Sequence, residues 1–153
     1  MGKNTTITIN DDITLITMNN IPLDMGLISN IFGSIASMDI DVDMISISPS
    51  QKVLTSLSFT VQDNEFAKIL KYTSELRKKS PNITSTVSSG NCKITVFDSS
   101  MENYPGFAAK IFKAVSDATA DIRIITTSID EIALLTTKAD CENTIEKIKS
   151  VVY

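Results

Sequence analysis

The chain has 153 residues, of which 42% are apolar and 21% are charged, and its formal net charge is −4. A net negative charge without a basic cluster argues against a nucleic-acid partner. No apolar run reaches the roughly 20 residues of a membrane span, so we expect no membrane association. The sequence contains no histidine, the commonest general base and a common zinc ligand, and we therefore expect no catalytic centre, metal or cofactor.

The predicted elements of the first half begin with two short strands over residues 5–9 and 13–18, separated by the turn-forming residues 10–12. Five further elements follow in chain order: a helix over 25–38, strands over 41–48 and 53–61, a helix that Asp63 caps and Ser80–Pro81 ends, and a strand over 83–87. Residues 49–52 are predicted to form a turn. Leaving out the first strand, this order is βαββαβ, which is typical of a ferredoxin-like unit.

The second half repeats the first. Residues 13–48 align without a gap on residues 93–128, a shift of 80 residues. Six pairs are identical: Gly26/Gly106, Ile31/Ile111, Phe32/Phe112, Asp41/Asp121, Ile45/Ile125 and Ser48/Ser128. A shift of this length indicates a duplicated small domain and not a solenoid repeat.

The second copy ends one strand short. After a linker at 88–90, we predict a strand over 93–98, a helix over 105–118, strands over 122–128 and 131–137 and a helix over 140–151. Because an unpaired sheet edge is unfavourable, we expect the N-terminal strand to complete the second sheet. The predicted fold is α+β with two antiparallel-sheet domains, residues 11–89 and residues 90–153 completed by strand 4–10.

The two cysteines, Cys92 and Cys141, form neither a metal-binding motif nor a disulfide framework. The N-terminal residues show no apolar signal-peptide core. We therefore expect a reduced, soluble protein of the cytoplasm.

Several segments resemble the paired ACT domains at the C-terminus of aspartokinases. Residues 20–26 (NIPLDMG) are similar to the family's GIPD-x-PG loop, and residues 42–50 (VDMISISPS) to its VDMISQSPS strand. Residues 58–61 (SFTV), 101–106 (MENYPG) and 124–128 (IITTS) also resemble family segments, in the family's order. The family's fold includes the strand exchange expected above.

The resemblance implies regulation and not catalysis. In aspartokinases the paired ACT domains bind end-product amino acids between the two modules and signal to a kinase domain. This chain has no glycine-rich phosphate loop. The implied partners are a free amino acid as effector, a second copy of the chain in a homodimer, and a kinase catalytic subunit.

A site for a free amino acid has two chemical needs. Its carboxylate needs N–H donors, which helix N-termini supply, and Gly26 and Gly106 each open a predicted helix after a strand and a loop. Its ammonium needs an acid, for which Asp43 is the candidate. The predicted ligand-binding residues are Asp24, Met25, Gly26, Leu27, Ile28, Val42, Asp43, Asn103, Gly106, Phe107, Ala108, Ile122 and Ser128, with N–H groups from Leu27, Ile28, Phe107 and Ala108. The alternative is that the glycines only start helices and that Asp43 is a solvated strand residue.

The departures from the family bear on the ligand. Leu23, Ile47 and Ile129 stand where the family has polar residues, and Arg123 replaces an acid. Because a lysine side chain would lack partners at apolar positions, we expect lysine to bind poorly. We expect one working site near Asp43 and a degenerate one near Arg123. The alternative function is a docking or oligomerisation module whose ligand site has decayed, and no residue constellation supports an enzyme.

Overall fold

The computed structural model describes residues 4–48 and 53–153, so the turn predicted at 49–52 lies outside the described residues. Its elements, in chain order, are β1 (Thr5–Pro22), α1 (Met25–Ser37), β2 (Ile45–Ser48), β3 (Leu54–Gln62), α2 (Phe66–Lys79), β4 (Thr84–Asp98), α3 (Phe107–Asp117), β5 (Ile122–Thr127), β6 (Glu131–Thr137) and α4 (Lys138–Val152). The strand order is β2-β3-β1-β4-β6-β5. The predicted α+β class, with an antiparallel sheet and four helices in the described residues, is confirmed. None of these helices is long and apolar enough to cross a bilayer.

The chain divides into two compact units. The central unit is Asp12–Ser89, and the terminal unit joins the described residues up to Asp11 to Gly90–Tyr153. The breaks predicted at residues 10–12 and 88–90 are wrong, because β1 and β4 each continue through them. Asp12 (φ 60°) and Gly90 (φ 71°) each adopt a left-handed conformation, which bends a strand locally without ending it. The exchange of the N-terminal strand stays a prediction.

The core of the central unit lies between strands β1 and β3 and helix α1. β1 pairs antiparallel with β3, from Ile13 opposite Gln62 to Pro22 opposite Leu54. The buried residues Ile28, Ile31 and Ile35 recur on one face of α1, which is the helical spacing seen in the sequence. Phe59 is fully buried on β3, and its ring contacts the Phe32 ring edge-to-face at 5.4 Å. Each such buried side chain contributes about 1.5–3 kcal/mol by leaving water.

In the central unit, β2 and the start of α2 differ from the prediction. The strand predicted over 41–48 is regular only from Ile45 to Ser48, although the Asp43 N–H still donates to the Thr60 carbonyl at 3.1 Å. Helix α2 begins at Phe66 after a 3-10 turn over Asp63–Glu65. Asp63 does not cap α2 but accepts a hydrogen bond from the Thr14 hydroxyl at 2.6 Å.

The terminal unit packs α3 and α4 on β4, β5 and β6. β4 pairs antiparallel with β6, from Asn91 opposite Thr137 to Phe97 opposite Glu131. The bounds of β6 are those predicted. Repeat-related residues have matching environments in the two units: Ile31 and Ile111 are 1% and 0% exposed, whereas Ile45 and Ile125 are 48% and 44% exposed. The duplicated pattern therefore encodes the same inward and outward faces.

The expectation of unpaired cysteines is wrong. Cys92 on β4 and Cys141 in α4 form a disulfide, with their Cα atoms 6.2 Å apart. Both side chains point into the core of the terminal unit. A separation of 49 residues along the chain hides this proximity, because strand–helix packing alone brings the residues together.

The N-terminal segment is held to the terminal unit by a buried carboxylate. Asp98 is 1% exposed and accepts hydrogen bonds from the Ser100 hydroxyl at 2.6 Å, the Ser100 N–H at 2.8 Å and the Thr5 hydroxyl at 2.5 Å. These donors, first the Ser100 hydroxyl and then the Thr5 hydroxyl, lower the pKa of Asp98 below its ordinary value of 3.8. The ionised carboxylate is thus the form that the fold stabilises.

Asp98→Asn should destabilise the protein at neutral pH by about 1–3 kcal/mol, because the donors lose a charged acceptor. The folded pKa is lower than the unfolded pKa, so this stabilisation is present above about pH 4 and is lost as the pH falls through the folded value. The difference in urea unfolding free energy between the native protein and the variant, measured at pH 7, 4 and 3, should therefore shrink toward low pH. A difference that stays constant across this range would contradict the assignment.

Candidate functional site

Two backbone N–H groups at the N-terminus of α1 already donate hydrogen bonds within the chain, both to Asp24. Asp24 is the N-cap, and its carboxylate accepts the Gly26 N–H at 2.8 Å. The Ile28 N–H donates to the Asp24 carbonyl at 3.1 Å, and the Ile28 side chain is buried in the core. The expectation that the Ile28 N–H is available to a ligand is therefore wrong. A carboxylate placed here would also be repelled by the Asp24 carboxylate.

The N-terminus of α3 has a different cap. Gly106 is the N-cap, with φ 95° and without a side chain that could accept a hydrogen bond. The Phe107 N–H donates to the Tyr104 carbonyl at 3.2 Å, and the Phe107 side chain is buried, so the expectation that its N–H is available is wrong as well. The Ala108 N–H remains as a first-turn candidate. Nearby, the Lys110 ammonium lies 5.6 Å from the centre of the Tyr104 ring.

The charge at the two helix starts is therefore opposite in sign. The α1 start carries the Asp24 carboxylate, whereas the α3 start carries the partial positive charge of the helix end with Lys110 beside it. An anion is favoured at the start of α3, and a cation is favoured near Asp24. The aligned glycines Gly26 and Gly106 lie in these two different settings, which the repeat alone did not reveal.

The remaining predicted site residues are mostly on the surface of their own units. In the central unit, Met25 is 67% exposed, Asp43 is exposed, and Leu27 and Val42 are half-buried. In the terminal unit, Asn103 ends a 3-10 turn, Ile122 packs against the core, and the Ser128 hydroxyl donates to Asp130 at 2.9 Å. The predicted site residues of the central unit and those of the terminal unit thus lie mainly on the surface of their respective units.

The surroundings of Arg123 form an ionic cluster. Arg123 pairs with the Asp121 carboxylate at 2.8 Å, and the Asp121 N–H donates to Asp140 at 3.0 Å. This backbone bond and the Thr137 hydroxyl lower the pKa of Asp140 below its ordinary value. Arg123 thus has an acidic partner within its own unit, which is consistent with a residue that holds local structure.

A pocket in the central unit was not predicted. It has a volume of about 630 Å³ and is lined by Asn20, Pro22, Leu27, Leu54, Lys79, Ser80, Pro81, Asn82 and Ile83. Leu27 is the member that it shares with the predicted site. The Ser80–Pro81 signal in the sequence predicts only the end of α2, because the approach of this turn to the end of β1 depends on tertiary packing.

Comparisons with known proteins agree with this fold. Residues 94–151 match the ACT domain family. The chain is 26% identical over 125 residues to an aspartokinase of Pseudomonas aeruginosa, an alignment that covers 80% of this chain and 30% of that protein. The chain thus spans about 30% of the length of the curated relatives it matches.

Solved structures extend the likeness to the whole chain. The regulatory subunit of aspartate kinase from Thermus thermophilus, in its ligand-free form, has a TM-score of 0.88 and 21% identity, with 99% of this chain and 100% of that chain covered. A structure of aspartokinase alpha and beta subunits has a TM-score of 0.85 and 26% identity, with 97% of each chain covered. The first likeness is one of fold, and the second is one of sequence as well.

Proposed function

We propose that this chain, which contains an ACT domain and resembles the regulatory region of aspartokinases, is an allosteric module that binds a free amino acid. The observation that carries the proposal is the likeness to aspartokinase subunits over 97% of the chain. A regulatory role without catalysis fits the ACT domain at residues 94–151. We further propose that its target is an aspartate kinase catalytic subunit.

The charges at the two helix starts support an arrangement for the effector. A free amino acid carries a carboxylate and an ammonium at neutral pH. The α3 start, with its glycine cap and Lys110 nearby, suits the carboxylate. Asp24 and Asp43 of the central unit supply negative charge for the ammonium. We propose that the effector binds to the ACT modules with this polarity, its carboxylate at a helix start and its ammonium at an acidic side chain.

The experiment is a thermal-shift screen of the full chain against the twenty amino acids, followed by calorimetry. A ligand that binds only the folded state must raise the melting temperature. Lysine should bind at least about tenfold more weakly than the best amino acid, because Leu23, Ile47 and Ile129 give its side-chain ammonium no partner. Tight lysine binding would contradict this interpretation of the three apolar residues.

For the amino acid that binds best, Asp43→Ala should weaken binding by tenfold or more, since a charge-assisted hydrogen bond contributes about 1.5–3 kcal/mol. Asp41→Ala is the matched control, because Asp41 is also exposed and lies two residues away in the same segment. Equal effects of the two substitutions would show that Asp43 acts only through general surface charge.

A docking module without a ligand is the second candidate. The exposed large apolar side chains of the central unit include Leu23 (53%), Met25 (67%), Val53 (79%) and Leu54 (42%). Leu23 and Val53 are neighbours, since the Leu23 N–H donates to the Val53 carbonyl at 2.8 Å. Exposed apolar side chains that cluster indicate a protein contact. Light scattering that gives twice the chain's 16.7 kDa, together with no response to any amino acid, would favour this candidate.

The kinase proposal has its own test. Adding the chain to an aspartate kinase catalytic subunit should change the kinase rate, and the effector found in the screen should alter that change. Binding of an amino acid without an effect on the kinase would support the amino-acid sensor and contradict the proposed kinase target.

A further inference from the structure

The two cysteines of the chain meet inside the terminal unit. Cys92 is 0% exposed on β4, and Cys141 is 7% exposed in the first half of α4. Their Cα atoms are 6.2 Å apart, within the roughly 4.4–6.8 Å found across disulfides. Both belong to the apolar core that also contains Ile94 and Ile145. The bond thus joins a core strand to the C-terminal helix.

We propose that Cys92 and Cys141 form a reversible dithiol–disulfide site, through which thiol oxidants and reductants change the stability of the terminal unit. The site is independent of the proposed function, because no effector or kinase takes part in it. Both redox forms suit the same core, since a free cysteine packs as a small apolar side chain. Reduction therefore removes a covalent link without leaving a buried charge.

The chemistry is a thiol–disulfide exchange with a low-molecular-weight disulfide such as oxidised glutathione. The Cys141 thiol loses its proton and attacks one sulfur of oxidised glutathione, which forms a mixed disulfide and releases one reduced glutathione. The Cys92 thiolate then attacks the Cys141 sulfur and releases the second. Two thiols are oxidised, one glutathione disulfide is reduced to two thiols, and the two protons pass to the departing glutathione thiolates. Cys141 is the first nucleophile because it is the less buried of the two.

The expected effect on stability follows from loop closure. The bond closes a loop between residues 49 positions apart, which restricts the unfolded chain. Reduction should lower the melting temperature of the terminal unit by roughly 10–20 °C. The central unit, whose described residues include no cysteine, should change little.

A metal site is the competing use of the same side chains. A carboxylate oxygen of Asp11 and the two sulfurs all lie within 4.8 Å of one another. Reduced cysteines with a carboxylate could hold Zn²⁺. We favour the disulfide because the two sulfurs are bonded to each other in the structure, a state that leaves no thiolate for a metal.

The test equilibrates the full chain in glutathione buffers of graded potential and in dithiothreitol. Non-reducing peptide mass spectrometry should show the Cys92–Cys141 link under oxidising conditions and two thiols under reducing ones. The melting temperature should fall in proportion to the fraction of chains that have lost the link. In Cys92→Ala/Cys141→Ala the melting temperature should not respond to dithiothreitol. Asp11→Asn should keep the link, because the carboxylate is not part of it.

Three results would overturn the proposal. Two free thiols in excess oxidised glutathione would show that the pair does not oxidise. A link whose reduction leaves the melting temperature unchanged would show that it does not affect stability. The third result has two parts: the reduced chain binds one zinc ion that Asp11→Asn abolishes, and no link forms under oxidising conditions. It would show that Asp11, Cys92 and Cys141 form a metal site.

Discussion

Deletion of residues 1–10 should unfold the terminal unit while the central unit stays folded. The described part of this segment is held to the terminal unit by three kinds of contact. The Thr5 hydroxyl donates to Asp98, the Tyr153 hydroxyl donates to the Thr5 carbonyl at 3.3 Å, and Ile7 packs against the apolar core. We expect a loss on the order of 5 kcal/mol, because the charged hydrogen bond, the apolar burial and the strand edge are lost together. A loss of this size is comparable to the whole stability of a small unit.

Amide hydrogen exchange followed by peptide mass spectrometry can locate the effect. Peptides from Gly90–Tyr153 should lose protection, whereas peptides from Asp12–Ser89 should keep it. Equal loss in both units would show that they unfold as one. Greater loss in the central unit would contradict the proposed exchange of the N-terminal strand.

Two point substitutions refine this test without removing the strand. Ile7 packs against the core of the terminal unit, whereas Ile9 is 44% exposed. Ile7→Asn should therefore destabilise the terminal unit by about 1–2 kcal/mol, since it removes apolar contact with the core from a partly buried position. Ile9→Asn makes the same chemical change in the same segment and should have an effect within about 0.5 kcal/mol. Similar effects at both positions would indicate that the segment does not pack as described.

The sequence predicts best where local pattern and packing agree. The apolar spacing of α1 and the alternation of β6 follow directly from which face each residue buries, and those elements lie where they were expected. The predictions that are wrong lie where tertiary contacts override a local sequence signal. Residues 10–12 and 88–90 consist of turn-forming types, yet β1 and β4 continue through them, and each of these strands lies between two neighbours in the sheet. The Cys92–Cys141 pair has no local signal, because only tertiary packing brings the two residues together.

The difference between the two helix starts is encoded in the sequence. Asp24 precedes Gly26 by two residues, and the residue that aligns with it 80 positions later is Tyr104. An aspartate at this position can cap a helix, whereas a tyrosine cannot. The two repeats therefore share the glycine without sharing the hydrogen bonds that the first helix turn makes. Which surface residues of the two units contact one ligand depends on how the modules assemble, which no local pattern encodes.

Phe107→Ala should destabilise the terminal unit by about 3–5 kcal/mol, the range for removing a buried aromatic side chain. Phe107 is the first residue of α3 and is 1% exposed, and its ring contacts the Tyr104 ring edge-to-face with centroids 6.4 Å apart. Its side chain thus anchors the helix start that we propose for the effector carboxylate. Urea unfolding of the full chain, with hydrogen exchange to assign the affected unit, measures the loss.

The matched control is Phe112→Ala, the same substitution one and a half turns further along α3. Phe112 is 39% exposed, so its removal should cost less than about 1.5 kcal/mol, because little apolar surface returns to water and no cavity forms. If the effector binds as proposed, Phe107→Ala should also weaken it under conditions where the variant is still folded, since the loosened first turn no longer holds the Ala108 N–H in place. Phe112→Ala should leave affinity unchanged. Equal destabilisation by the two variants would contradict the packing of α3. An affinity that Phe107→Ala does not change would place the carboxylate away from the start of α3.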